Sequence, residues 1–215
     1  MKKLLFTAAI AVLGFTTVNA QEVQFGAKAG VNFATLSGDN VDGVDSKTGF
    51  HVGVVAEIMV SEKFSFQPEI MYSAQGASTS YSETQNFGGD TYSYEEEEKA
   101  KLNYINLPLM GKFYVAEGFS VEAGPQIGFL ISAKGEYEYS ETLNGVTQSG
   151  SEEEDIENIS SVDLGVNFGL GYKLDNGLNF GARYNLGLSN INDYEGADNN
   201  KVHNNVIQVS VGFMF

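Results

Sequence analysis

"FSFQPEIMYSAQG", residues 64–76, reads as two interleaved rows. One row is Phe64, Phe66, Pro68, Ile70, Tyr72 and Ala74; the other is Ser65, Gln67, Glu69, Met71, Ser73 and Gln75. Alternation at period two is the pattern of a β-strand with one apolar face. What that face touches, a packed interior or lipid, decides the fold.

Seven further segments alternate in the same way, about residues 23–35, 50–60, 102–115, 119–137, 162–174, 178–188 and 205–215. No helical periodicity separates them, so antiparallel hairpins are expected rather than βαβ units. The connections also alternate. Residues 61–63, 116–118 and 175–177 are short turns, whereas 37–48, 77–100, 138–160 and 190–204 are long. Short turns at one end, long loops at the other and both termini at the short end form the layout of an outer-membrane barrel. The expected fold is all-β: an eight-stranded antiparallel up-and-down transmembrane β-barrel with short periplasmic turns and long acidic extracellular loops.

Composition narrows the alternatives. The chain has 215 residues, 25 glycines, 3 prolines and no cysteine, which removes disulfides, thiolate nucleophiles and sulfur metal sites. Its formal charge of −16 disfavours nucleic acid and anionic headgroups as partners. Lys2 and Lys3, an apolar core from Leu4 and the small-residue end Val18-Asn19-Ala20 mark residues 1–20 as a secretory signal peptide, with the barrel domain over 21–215. Beyond it there is no run of 18 or more apolar residues, so any membrane crossing must use strands.

A soluble lipocalin-like barrel alternates too, with its apolar side inward. Three features favour the inverse. The polar rows are rich in glycine and small polar residues, as suits the crowded lumen of eight strands. The mid-strand charges Lys28, Glu57, Glu69, Lys112, Glu122, Asp163 and Arg183 all share the polar parity; a lipid-facing Lys or Arg costs about 2–4 kcal/mol at the midplane. Aromatics, among them Phe25, Phe64, Phe113, Tyr172, Phe180, Phe213 and Phe215, gather on the apolar parity near the short turns, as an interfacial girdle does. Pro68, Pro108 and Pro125 fall inside strands, where a missing N–H predicts bulges or interrupted pairing.

The phrases "FSFQPEIMYSAQG", "LNYINLPLMGKFYV", "VEAGPQIGFLISAK" and "LNFGARYNLGLSNI" resemble the strand phrases of PorT-like outer-membrane β-barrel proteins, the small "porin family" barrels. The resemblance spans the mature chain. It implies an eight-stranded barrel in the outer membrane of a diderm bacterium, in contact with outer-membrane lipids. It also implies that Phe213 and Phe215 form a C-terminal signal similar to the one read by barrel-insertion machinery.

No residue set points to catalysis. His51 and His203 are each alone in their segments, and no serine sits in a G-x-S-x-G context. "GDNVDGVDS" (38–46) lacks EF-hand ligand spacing, since Val41 occupies the third-position site and no glutamate follows at the twelfth. No cofactor or metal is expected. The runs "YEEEEK" (94–99) and "SEEEDIE" (151–157) lie in long loops and read as solvated charge, or as sites for divalent cations or a basic partner. The enclosed charges are expected to pair, Arg183 and Lys112 against Glu57, Glu69 and Glu122, and to plug the lumen. The reading is a non-enzymatic structural or interaction protein of the outer membrane; the alternatives are a narrow channel for ions or small solutes and a secreted lipocalin-like binder.

Overall fold

The computed structural model describes residues 23–41 and 43–215. The proposed signal peptide lies outside the described residues. Nine strands follow one another: β1 (Val23–Gly38), β2 (Asp45–Ser61), β3 (Phe64–Phe87), β4 (Asp90–Ala116), β5 (Phe119–Leu143), β6 (Val146–Asp155), β7 (Val162–Lys173), β8 (Leu178–Gly187) and β9 (Val202–Met214). A single 3-10 turn, Ala197–Asn199, interrupts the connection between β8 and β9. No helix among the described residues is long and apolar enough to cross a membrane.

Every pairing is antiparallel. The ladders run β1–β2, β2–β3, β3–β4, β4–β5, β5–β7, β7–β8, β8–β9 and β9–β1, a closed circuit of eight strands with no free edge. The ninth strand, β6, pairs only with the far half of β5, from Lys134↔Asp155 to Leu143↔Val146. The expectation of eight strands therefore describes the ring, and β6 is the correction to the count.

Two expected loops are also corrected. Residues 77–100 and most of 138–160 are strand: β3 and β4 pair without a break out to Phe87↔Asp90, and β5 and β6 out to Leu143↔Val146. The tips are turns in which Gly88 and Gly89 (φ 59° and 109°) and Asn144 and Gly145 (φ 48° and 84°) supply consecutive positive φ values, the geometry that matches hairpin twist. Beyond Ser78 and Phe129, β3 and β5 have left their ring neighbours β2 and β7. The outer reaches of β3, β4, β5 and β6 thus form a four-stranded sheet projecting from one side of the ring, at the end away from Val23 and Phe215.

The apolar rows face outward. Val54 is 57% exposed and Phe168 52%, whereas Glu57 and Arg183 are 1% and 8% exposed. This overturns the lipocalin-like alternative, which needs the opposite facing. The outer row of β4 from Ile105 to Val115 measures ~33 Å along the strand and ~25 Å along the ring axis at a tilt of ~40°, the height of a barrel's apolar band. At its termini end Phe64 pairs with Phe113, and Tyr172 pairs with both Phe119 and Phe180. At the other end Phe50 and Tyr72 stack at 5.4 Å.

The prolines interrupt pairing without shifting register. The β2–β3 ladder pauses between Val55↔Glu69 and Ile58↔Phe66, the β3–β4 ladder between Pro68↔Leu109 and Met71↔Asn106, and the β4–β5 ladder between Pro108↔Gln126 and Gly111↔Ala123. Each gap contains one proline and lies toward the preceding strand, as a missing donor requires. A true bulge lies elsewhere, where Asn103↔Ser132 gives way to Tyr104↔Leu130. It carries Ile131 outward and places Ser132 in the outer row, contrary to the lumen side expected from unbroken alternation.

Candidate functional site: the side-chain-filled lumen

Glycine makes room for the lumen's large polar side chains. A Cβ at Gly30 would lie 2.7 Å from the His51 ring, and one at Gly171 would lie 2.4 Å from Glu122 Oε1. Into that space β1, β2, β3, β4, β5, β7 and β8 each send at least one charge or amide.

The centre is ionic. Arg183 donates through both terminal nitrogens to Glu69, Nη1 to Oε2 at 3.0 Å and Nη2 to Oε1 at 2.9 Å, the fork geometry that makes Arg–carboxylate pairs strong. Lys28 adds a 2.8 Å contact and Gln67 donates at 2.7 Å to the same carboxylate. Arg183 reaches Glu122 at 3.4 Å, and Glu122 meets Lys112 at 3.5 Å. Lys112 continues to Glu57 at 3.3 Å, and Glu57 to Lys173 at 2.9 Å. Ser65 and Tyr114 donate their hydroxyls to Glu57 as well. Four cations and three carboxylates form one chain, nearly neutral as enclosure demands. In the ring, β8 stands opposite β3 and β7 opposite β2, so Arg183–Glu69 and Lys173–Glu57 each span the lumen.

Toward the projecting sheet the charges give way to amides. Asn32 donates to Ser73 Oγ at 2.9 Å and to the Ala74 carbonyl at 2.8 Å. Its Oδ1 accepts from Gln208 at 3.0 Å and meets His51 Nδ1 at 2.8 Å. An amide oxygen only accepts, so His51 carries its hydrogen on Nδ1. Asn204 donates to Gln75, and Asn185, Asn167 and Gln126 form a second relay at 3.1 and 3.2 Å.

Above the amides the lumen is closed by grease. Ile191, from the β8–β9 connection, and Val202, the first residue of β9, pack on Leu102 and Tyr104 with Leu36, Leu130 and Ile159 around them. The connection is pinned by Ile191 N donating to Val202 O at 2.8 Å and by the Ile159↔Asn192 bridge. The Tyr104 hydroxyl is buried there without a partner.

Of the seven charges expected in the lumen, six join one network: Lys28, Glu57, Glu69, Lys112, Glu122 and Arg183. Asp163 is buried on the same side but stands apart, accepting from Ser189 Oγ at 2.7 Å. Sequence reading left out Lys173 and Tyr114; Lys173 shares the parity of Asp163 on β7, which is the signal that identifies it. Ile191 lies in a connection without periodicity and Val202 at the start of β9, and nothing in the sequence marks them as a cap. His203 donates from Nδ1 to the Ser189 carbonyl at 2.8 Å. Phe213 and Phe215 stack edge to face at 5.7 Å on the outer surface, and Phe215 N donates to the Phe25 carbonyl across the seam of the first and last strands.

Free space divides sharply. A vestibule of about 780 Å³ opens at the termini end, lined by Gln24, Met59, Tyr114, Lys173 and Met214 among others. Inside it, between Lys28, Gln67, Lys112, Glu122 and Arg183, only about 30 Å³ remains, room for one or two waters. Among the described residues no three His, Asp or Glu side chains converge as a metal site.

A family model described as outer membrane protein beta-barrel domain matches residues 19–193. The match is to outer-membrane barrels generally, a broader group than the PorT-like label. No curated protein is similar in sequence. Among solved structures, the attachment invasion locus protein Ail of Yersinia pestis is 13% identical with a TM-score of 0.43, covering 90% of this chain and 99% of that one. Neisserial surface protein A is 14% identical with a TM-score of 0.45, again over 90% and 99%. CarO2 of Acinetobacter baumannii is 13% identical with a TM-score of 0.37, over 89% and 99%.

Proposed function

The chain belongs to the outer membrane protein beta-barrel domain family, and from that premise we propose that it is a closed barrel serving a structural or interaction role at the cell surface rather than a conduit. The short turns and both termini face the periplasm in this reading, and the projecting sheet faces outward. The outer apolar rows contact outer-membrane lipids, and Phe213 and Phe215 present the terminal signal to the insertion machinery.

The observation that carries the reading is the stack of fillings in one lumen: an ionic layer bridged across its diameter by Arg183–Glu69, an amide layer, and an apolar cap. A permeating ion would have to displace paired charges and then cross an apolar cluster. The competing reading, a narrow channel, makes the opposite electrical statement. Purified protein in planar bilayers is expected to give no steady conductance steps; reproducible steps of porin size would overturn the closed-lumen reading and favour the channel.

A further inference from the structure

The two faces of the projecting sheet differ in how they handle charge. On the face continuing the outer rows, Lys99 pairs with Glu97 at 2.9 Å and Glu138 at 2.8 Å, Lys101 with Glu136 at 2.6 Å, and Lys134 with Glu153 at 2.6 Å. The remainder of that face is Ser and Thr with Asn86, Glu95 and Asp155. On the face continuing the lumen rows, the cross-strand rows are Thr79–Glu98–Tyr137–Glu152, Tyr81–Glu96–Tyr139–Gly150 and Glu83–Tyr94–Glu141–Gln148. That face has no lysine or arginine, and among the described residues its carboxylates have no ion pair.

Tyrosine and glutamate are interleaved on it. Tyr94 donates to Glu96 at 2.7 Å and shares a 2.9 Å hydrogen bond with Tyr137. Tyr81 and Tyr94 lie 6.4 Å apart, and Tyr137 and Tyr139 6.0 Å. Tyr139 lies over Gly150, where a Cβ would come within 2.6 Å of its ring. At the base of this face, where it meets the ring, a cleft of about 530 Å³ is lined by the apolar Leu36, Ala100 and Ile156 and by Glu98, Glu152 and Glu154. Lys99 also borders the cleft, with its ammonium committed to Glu97 and Glu138.

We propose that this tyrosine–glutamate face, with its basal cleft, docks an extended cationic segment of a partner protein. One apolar side chain of the segment would enter the cleft, and its Lys or Arg side chains would lie over the tyrosines and carboxylates. Ammonium and guanidinium groups are attracted to aromatic faces. Carboxylates without a cationic partner supply the complementary field, whereas on the opposite face three lysines already offset part of the charge. The proposal rests on the reading of the protein as a surface interaction barrel. Peptide binding and ion conductance are measured separately, so failure of docking leaves the closed lumen standing, and the converse.

The test uses the full mature chain in phosphatidylcholine nanodiscs. The probe is a labelled peptide of alternating Lys and Thr with one central Leu, and a Glu-for-Lys peptide is its counterpart. Anisotropy is expected to detect only the cationic peptide, more weakly as salt screens the charges. The Glu98→Gln/Glu152→Gln/Glu154→Gln variant is expected to lose about tenfold in affinity, as removal of a few partly exposed charge contacts would give. Glu97→Gln/Glu138→Gln is expected to stay within about twofold. Amide shifts of Gly135 and Gly150 on titrating the unaltered protein locate the contact without any substitution. Equal binding of both peptides, equal losses from both variants, or unshifted glycines would overturn the proposal. So would calcium alone binding at this face and displacing the peptide, because the occupant would then be a divalent cation.

Discussion

Arg183 and Glu69 are 114 residues apart in the chain and meet in the middle of the lumen, with the Glu69 side chain fully enclosed. Such a pair is judged by what its loss leaves behind. Arg183→Met leaves Glu69 with Lys28 as its sole charged partner and is expected to cost about 3–5 kcal/mol of stability. Lys134→Ala breaks an exposed pair and is expected to cost less than about 1 kcal/mol. Denaturant unfolding of both variants in vesicles checks the contrast, and comparable costs would mean the lumen network is no more than a surface one. The charges themselves were legible in the sequence, because Lys28, Glu57, Glu69, Lys112, Glu122 and Arg183 all fall on the parity that lipid excludes. That Arg183 and Lys112 would meet Glu57, Glu69 and Glu122 was legible as a group; which pairs with which was not, since closure of the ring, not proximity along the chain, sets β8 against β3. Asp163 illustrates the limit of parity: it fixes the side of the wall but not the height, and Asp163 stands nearer the amide layer and cap.

The ring's ladders are uneven. Pro68, Pro108 and Pro125 step across β3, β4 and β5 at mid-height, each beside a pause in pairing. Amides facing the prolines across these pauses, such as those of Ala56 and Leu109, are expected to exchange hydrogen faster than those of Phe168 or Leu170 in the unbroken β7–β8 ladder; uniform protection would contradict the assigned interruptions. The projecting sheet is held differently, by turns and surface pairs. Lys99 hydrogen-bonded to Glu138, and Lys134 to Glu153, hold both carboxyls below the ordinary glutamate range. Depressed carboxylates contribute stability above their unfolded-state value of about 4.3, and that contribution disappears as pH falls through their lower folded values. Protection of β5 and β6 amides beyond Lys134, corrected for intrinsic exchange, is therefore expected to fall on acidification below about pH 4 while the ring keeps its own. These strands were read as loops because a sheet wet on both faces needs no apolar row. The every-other-residue placement of Tyr92 and Tyr94, and of Tyr137 and Tyr139, together with Asn144-Gly145, is the trace they left in the sequence.

At the scale of the molecule the account rests on an inside-out arrangement, with apolar rows against acyl chains and a filled polar interior. The alternation in 64–76 and its seven counterparts specified the ring, its short turns and its facing. The cap formed by Ile191 and Val202 did not show, because Ile191 comes from a connection whose conformation is set only once the rim is built, and Val202 from the strand end that follows it. The chain's lack of cysteine allows single Cys substitutions without background labelling. The decisive measurement is depth-resolved quenching by brominated phospholipids of a fluorophore placed in turn at Val54, Phe168, Val209 and, on the projecting sheet, Ser82. Strong quenching at Val54, Phe168 and Val209, with none at Ser82, is the predicted result. Unquenched labels at the first three positions, reached instead by a water-soluble quencher, would contradict the arrangement.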